Sequence, residues 1–220
     1  MLLLAFDTAT PAVTVALHDG QRVLAETTTV DARRHGELLA PAIAKVVADA
    51  GAEQRDLTAI AVGVGPGPFT GLRVGLVTAR VYGRTLDLPV HGVCSLDVLA
   101  RAAGPAADGR EFLAVSDARR KELYWARYAG TGERLTGPSV DRPADIPADL
   151  PAAGQAVSLY PDQLGEAIWP EHLSASVLAT LVAEALAGTA STPVELLDPE
   201  PLYLRRPDAQ IPGPPKRVTP

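Results

Sequence analysis

The sequence predicts an α/β fold in two lobes, the second smaller than the first. Three observations carry this. The chain opens with three short strand-like segments in a row and then alternates helix and strand. A second group of strand-like segments restarts beyond the turn-rich stretch Gly104–Gly109. The composition is that of a globular chain: 220 residues, 47% hydrophobic and 21% charged, enough to bury a core that must be aliphatic because aromatics make up only 5%. The expected division is a first lobe over 1–105, a reduced second lobe over 106–206 and a tail over 207–220.

Each element follows from its local pattern. Leu2–Phe6 is an apolar run ending at Asp7, which fits a buried strand, and Val13–Leu17 is a second. Asp19-Gly20 is a hairpin signal, and Arg22–Val30 follows as the third strand. From Gly36 to Ala50, Leu38/Leu39, Ala42/Ile43, Val46/Val47 and Ala50 recur every four residues, one apolar face of a helix. Pro41 is tolerated best in a first turn, which moves the expected start toward Leu38, and Gly51 is a natural stop. Leu57–Gly63 has the continuous apolar character of a central strand. A glycine-proline turn leads to a helix over Phe69–Leu86, a strand over Pro89–Val93, and a helix capped by Ser95 and ending near Ala103.

Past Gly109, Phe112–Ser116 and Glu122–Ala129 form an expected hairpin around Asp117–Lys121. Residues 137–172 are rich in proline and polar turns and carry no assignment. Ala175–Ala187 is helical, and the proline-rich tail from Pro207 has a disordered composition. A meander followed by alternating helix and strand, then restarted, is the order of actin-like (ASKHA, ribonuclease H-like) lobes. A plain dinucleotide-binding unit would alternate from its first strand. Such a fold leaves function open.

Composition narrows the function classes. A net charge of −6 opposes general affinity for a phosphate backbone, so a chain working on RNA would rely on a partner for much of the grip. The single cysteine, Cys94, excludes an intrachain disulfide and fits a reducing, cytoplasmic setting. The apolar start, Met1 to Phe6, is too short for a signal peptide, and no run approaches the roughly 20 apolar residues of a membrane span, so no membrane association is expected. The four histidines, His18, His35, His91 and His172, form no metal-binding spacing, so neither a metal site nor a catalytic residue is assigned.

Three places remain as candidates. Asp7-Thr8-Ala9-Thr10 follows the first strand, where an acid can hold magnesium through water and hydroxyls can meet phosphate; a turn that merely closes the strand is the alternative. Arg119, with Arg120 and Lys121 in the hairpin, is either a solvated turn or a phosphate or RNA contact facing the cleft. Asp7, Thr8 and Arg119 are thus the candidate nucleotide contacts, shared with a partner if they act at all. In the helix after the glycine-proline turn, Gly71, Gly75, Ala79 and Gly83 fall at four-residue steps. Each interior glycine costs a helix about 1 kcal/mol, so a close neighbour must compensate. That neighbour is the chain's own sheet or another subunit. Beside the stripe stand Arg73, Val77, Arg80 and Arg84, a mixture suited to a protein interface.

Several strings taken together resemble one family. They are Leu4-Ala5-Phe6-Asp7-Thr8-Ala9-Thr10, the run Gly65-Pro66-Gly67-Pro68-Phe69-Thr70-Gly71-Leu72-Arg73-Val74-Gly75, Asp117-Ala118-Arg119 with Glu122-Leu123-Tyr124-Trp125-Ala126, and Glu200-Pro201-Leu202-Tyr203-Leu204-Arg205. They resemble the TsaB (YeaZ) family over most of the chain, poorly over 137–172. The resemblance implies a non-catalytic partner subunit in forming N6-threonylcarbamoyladenosine at position 37 of tRNAs that read codons beginning with A. It implies TsaD as heterodimer partner, TsaE as a further partner, tRNA contacted indirectly, and a homodimer where TsaD is absent. No cofactor bound tightly is expected, with ADP or ATP placed at the partner interface. Matching the catalytic relative's paired-histidine metal motif onto this chain puts Ser95 and Leu99 at the two ligand positions. The resemblance also places the partner on the first two helices, giving Leu39, Ile43, Gly71, Arg73, Gly75, Val77, Ala79, Arg80 and Gly83 as the expected interface set. The competing reading is an actin-like ATPase or phosphotransferase using Asp7 and Thr8.

Overall fold

Two five-stranded sheets, each covered by helices, build the computed structural model, which describes residues 1–205. The expected disordered tail, 207–220, lies outside the described residues. The first sheet is ordered β3-β2-β1-β4-β5. It consists of β1 (Leu3–Asp7), β2 (Ala12–His18), β3 (Val23–Val30), β4 (Ala59–Gly63) and β5 (Val90–Val93). β1 pairs antiparallel with β2 through Ala5 and Ala16, and parallel with β4 through Ala5 and Ala61. All five residues of β1 are buried, as a central strand with both faces covered requires. The hairpin at Asp19-Gly20 forms as its residues dictate: Gly20 takes φ +97°, and Asp19 Oδ1 accepts from the amides of Gln21 and Arg22.

Alternate residues of the strands point to opposite faces, and each face has its own core. One face buries Leu4, Phe6, Val15 and Ile60 under α1 (His35–Asp49) and α2 (Phe69–Leu86), which bring Leu39, Ile43, Leu72 and Leu76. The other face, with Leu3, Ala5 and Ala61, meets α3 (Ser95–Ala107), α5 (Ala175–Ala187) and the residues Phe112, Ala114, Ala126 and Tyr128 of the second sheet in one continuous cluster. The second sheet holds β6 (Phe112–Asp117), β7 (Leu123–Tyr128), β8 (Arg134–Asp141), β9 (Ala152–Ala153) and β10 (Ala167–Ile168), ordered β10-β9-β6-β7-β8. In both sheets the leading strand sits third, with its two antiparallel successors on one side and two parallel strands on the other. This twice-used order makes the chain an α/β protein of the actin-like (ASKHA, ribonuclease H-like) type.

Three expectations shift. α1 begins at His35, so Pro41 lies inside it; its ring is on the exposed side, where water can satisfy the carbonyl that its missing N–H leaves. α3 continues through Gly104 and Pro105 to Ala107 and stops where Asp108 and Gly109 turn left-handed, so Ala103 is not its end. Ser95 is the first helical residue of α3 and not its cap; its hydroxyl is used elsewhere. The unassigned stretch 137–172 supplies the end of β8, then β9, the short helix α4 (Ala156–Leu159) and β10.

The end of the described chain comes back to the first sheet. Gly92 and Leu197 exchange two backbone hydrogen bonds of 2.7 and 2.8 Å, and the Leu202 amide donates to the Val64 carbonyl at 2.8 Å. The returning segment thereby covers the free edge of β5.

Candidate functional site

The loop after β1 is closed from within. Asp7 is 1% exposed. Its Oδ2 accepts from Ser95 Oγ at 2.6 Å and its Oδ1 from the Ala9 amide at 2.6 Å. Burial pushes its carboxyl above the usual range, against the opposing pull of Ser95, the Ala9 amide and the charge on His35. Ser95 Oγ in turn accepts from the Gly65 amide at 3.1 Å, so β1, the glycine-proline turn and the start of α3 are knotted at one carboxylate.

Thr8 is spliced into α2. Its hydroxyl donates to the Gly71 carbonyl at 2.8 Å and accepts from the Gly75 amide at 2.9 Å, so it stands between the two backbone groups that would otherwise bond to each other. This explains two members of the small-residue stripe. A Cβ on Gly75 would lie 2.6 Å from Thr8 Oγ1, and one on Gly71 would lie 2.7 Å from the Thr8 carbonyl oxygen. Asp7 and Thr8, expected as nucleotide contacts, thus have their polar side chains buried and bonded to other parts of the chain.

The stripe turns inward, which corrects most of the expected interface set. Leu39, Ile43, Gly71, Gly75, Ala79 and Gly83 are buried in this chain's own core and offer no surface. Arg73, Val77 and Arg80 lie on the outer face of α2. Sequence reasoning missed their neighbours Val81 and Phe69, although Val77 and Val81 stand one helical step of four apart. Val77 is 58% exposed, Val81 56% and Phe69 52%. On α1 the outward positions include Ala40, Ala44 and Ala48. The outer face of α2 thus carries the exposed valines Val77 and Val81 in a strip flanked by Arg73, Arg80 and Arg84.

The returning segment trims that surface. Tyr203 stacks on Phe69 with ring centroids 5.7 Å apart, and the Arg73 guanidinium lies 3.6 Å over the Phe69 ring while its Nε donates to Tyr203 Oη at 2.7 Å. Arg80 Nε donates to the Pro199 carbonyl at 2.9 Å and pairs with Glu200. Tyr203 stood only inside a family-like string, with no local pattern to mark its partner 130 residues away.

Arg119 is placed on the cleft, apart from Asp7. It sits at the tip of the β6–β7 hairpin, where Arg119, Arg120 and Lys121 all take positive φ, and its guanidinium is 3.2 Å from Asp117 Oδ2. It borders two adjoining hollows, one of about 280 Å³ that also touches Thr8, Thr10 and Arg33, and one of about 430 Å³ that also touches Arg73, Tyr203 and Arg205.

At the positions matched to a paired-histidine motif, Ser95 Oγ is taken by Asp7 and Gly65, and Leu99 is buried in the core. Among the described residues no group of three or more histidine, cysteine, aspartate or glutamate side chains is gathered for a metal. Cys94 is buried and its thiol is pushed up to about 12, first by burial and then by Asp97, which leaves it unreactive. No helix among the described residues is long and apolar enough to cross a membrane.

Comparison with known proteins agrees with this geometry. Residues 22–186 match the family described as TsaD, tRNA N6-adenosine threonylcarbamoyltransferase. An uncharacterized protein of Mycobacterium tuberculosis is 45% identical over 94% of this chain and 93% of its own length. The tRNA threonylcarbamoyladenosine biosynthesis protein TsaB of Escherichia coli is 37% identical over 58% of this chain and 55% of its own. The solved structure of YeaZ from Pseudomonas aeruginosa superposes with a TM-score of 0.76 at 30% identity, covering 92% of this chain and 99% of that one. With a match to YeaZ at 30% identity over 92% of this chain, the chain belongs to the TsaB (YeaZ) family.

Proposed function

We propose that this chain is a non-catalytic subunit in the formation of N6-threonylcarbamoyladenosine at position 37 of tRNAs reading codons that begin with A, and that it works by docking on TsaD. The observation that carries this reading is the contrast between two surfaces. The loop where a phosphotransferase needs free polar groups has them committed at Asp7 and Thr8. The outer face of α2 leaves Val77 and Val81 more than half exposed between arginines. Apolar side chains ringed by arginine are what a protein partner buries. The kinship with TsaB proteins names the pathway, and the match to the TsaD family fits pairing between two chains of like fold. TsaE would join the assembled pair, ADP or ATP would sit at the shared interface, and the same strip would serve a homodimer where TsaD is lacking. The setting would be the cytoplasm, where the tRNA is.

The test is co-purification of this chain with TsaD from the same organism, followed by an assay of modified adenosine with and without it. Val77→Glu together with Val81→Glu is expected to abolish co-purification and modification. Modification that proceeds equally without this chain, or an undisturbed complex in the double variant, overturns the proposal.

A further inference from the structure

The first sheet closes its β5 edge with the returning segment, whereas the second leaves β10 open. β9 lies on one side of β10, and among the described residues no strand lies on the other. The Ala152 amide donates to the Glu166 carbonyl and the Gly154 amide to the Pro170 carbonyl, so the even-numbered residues of this stretch face β9. Backbone groups alternate in direction along a strand. Those of Ala167 and Trp169 therefore face outward, and both residues are exposed. Their two amides and two carbonyls can pair with another extended chain. Beside this edge stands Trp169, 74% exposed, the most exposed large apolar side chain among the described residues.

Size and charge select what docks there. Val157, Ile168, Trp169 and Glu171 line a hollow of about 260 Å³. Pockets for small-molecule ligands begin near roughly 300 Å³, so this one suits a single long side chain. Glu171 lies 3.9 Å from His172 Nε2, beyond hydrogen-bond reach, and its carboxylate is open to a cation. An arginine fits all three walls: its stem against Val157 and Ile168, its guanidinium over the Trp169 ring and toward Glu171. The surroundings agree in sign. Asp145, Asp149 and Asp162 are exposed and enter no ion pair among the described residues, against one cation in the same position, Arg142. Glu166 is left out of this count because Arg110 holds it. The Leu150 carbonyl packs against Gly165, where a Cβ would meet it at 2.1 Å, so Asp149 stands by the opposite end of β10 from Trp169. An extended segment of four or five residues, at roughly 3.3 Å each, spans the two ends. We infer that the β10 edge docks an extended, arginine-bearing segment of a partner protein, which adds a strand beside Ala167 and Trp169 and seats one arginine on Trp169 against Glu171. The site belongs to the second sheet, whereas α2 covers the first, so the inference does not rest on docking to TsaD.

The experiment titrates the isolated full chain onto a fluorescently labelled peptide that alternates arginine with valine, read by anisotropy. Saturable binding is expected, weakened about tenfold by Trp169→Ala and about threefold by Glu171→Gln. A second peptide with proline in place of valine keeps every charge but cannot pair as a strand, and should bind at least about tenfold more weakly. Both side chains are exposed, so the variants should melt with the parent. Should Trp169→Ala melt lower, Trp169→Arg takes its place, since it keeps bulk and repels the anchor. Absence of saturable binding, equal binding of the valine and proline peptides, or equal binding by the parent and the Trp169 variant would each overturn the inference. So would self-association of the chain that Trp169→Ala removes, which gives the edge to a second copy. Protection of Trp169 from acrylamide quenching in the free monomer would overturn it too, in favour of the chain's own residues 206–220.

Discussion

Replacing Thr8 with valine keeps the shape and removes the hydroxyl that bridges the Gly71 carbonyl and the Gly75 amide. The two helix groups then face a methyl in a buried site. The expected cost is about 1–3 kcal/mol, read as a lower urea midpoint with an unchanged slope. Asp7 makes a pH prediction. Burial raises its folded-state affinity for a proton above that of the unfolded chain. Its contribution is therefore fully favourable below the ordinary carboxyl value of 3.8 and declines as pH climbs above it. Asp7→Asn cannot ionise, so urea titrations from pH 3 to 8 should show the variant gaining on the parent as pH rises. Parallel profiles would contradict the burial argument. The sequence marks both residues as unusual polar groups after a strand, but it does not tell their role. The partner that decides it, Ser95, is 88 positions away, and no local pattern links the two.

At the scale of an element, α2 shows what periodicity can and cannot say. The four-residue spacing of Gly71, Gly75, Ala79 and Gly83 correctly implies a face pressed against something close. It carries no sign for inside or outside, because the chain's own loop and a foreign helix make the same demand for small residues. The structure settles the direction: Thr8 and Val90 lie against it. Gly75→Leu is therefore a folding variant. Overpacking of this kind costs about 1–3 kcal/mol, and here the displaced group is the Thr8 side chain, whose hydroxyl is bonded to the Gly71 carbonyl and the Gly75 amide. Calorimetry should show the loss in the isolated chain. Val81→Glu, on the open side, should change stability by less than about 0.5 kcal/mol and be felt only when TsaD is present. If Val81→Glu unfolds the chain and Gly75→Leu does not, the faces of α2 have been assigned backwards.

For the whole molecule, the order of elements was legible where each was long enough to show a period. The opening meander, α1, α2 and α5 follow directly from apolar spacing and turn residues. The second sheet was half hidden, because β9 and β10 are two residues each and a pair of alanines has no alternation to read. Its topology becomes visible only through pairing, Leu113 with Ala152 and Ala167 with Ala152. The cleft was less legible still, since it joins residues near positions 69, 119 and 203. Tyr203→Ala should loosen this junction. It removes a stacked ring and the acceptor of the Arg73 bond. Proteolysis near residue 200 should quicken while the melting temperature falls by a few degrees, as expected for a loss of about 1 kcal/mol.

The return of residues 197–202 to Gly92 and Val64, together with α5 lying across β1 and β2, has a bearing on biosynthesis. A ribosome making this protein releases the opening strands early, yet their covering helix and the segment that closes the β5 edge follow only about 170 residues later. The first sheet must wait, with one apolar flank open, until α5 has been made. Nascent chains stalled at residue 105 should accordingly recruit a holding chaperone that the released, full chain no longer binds.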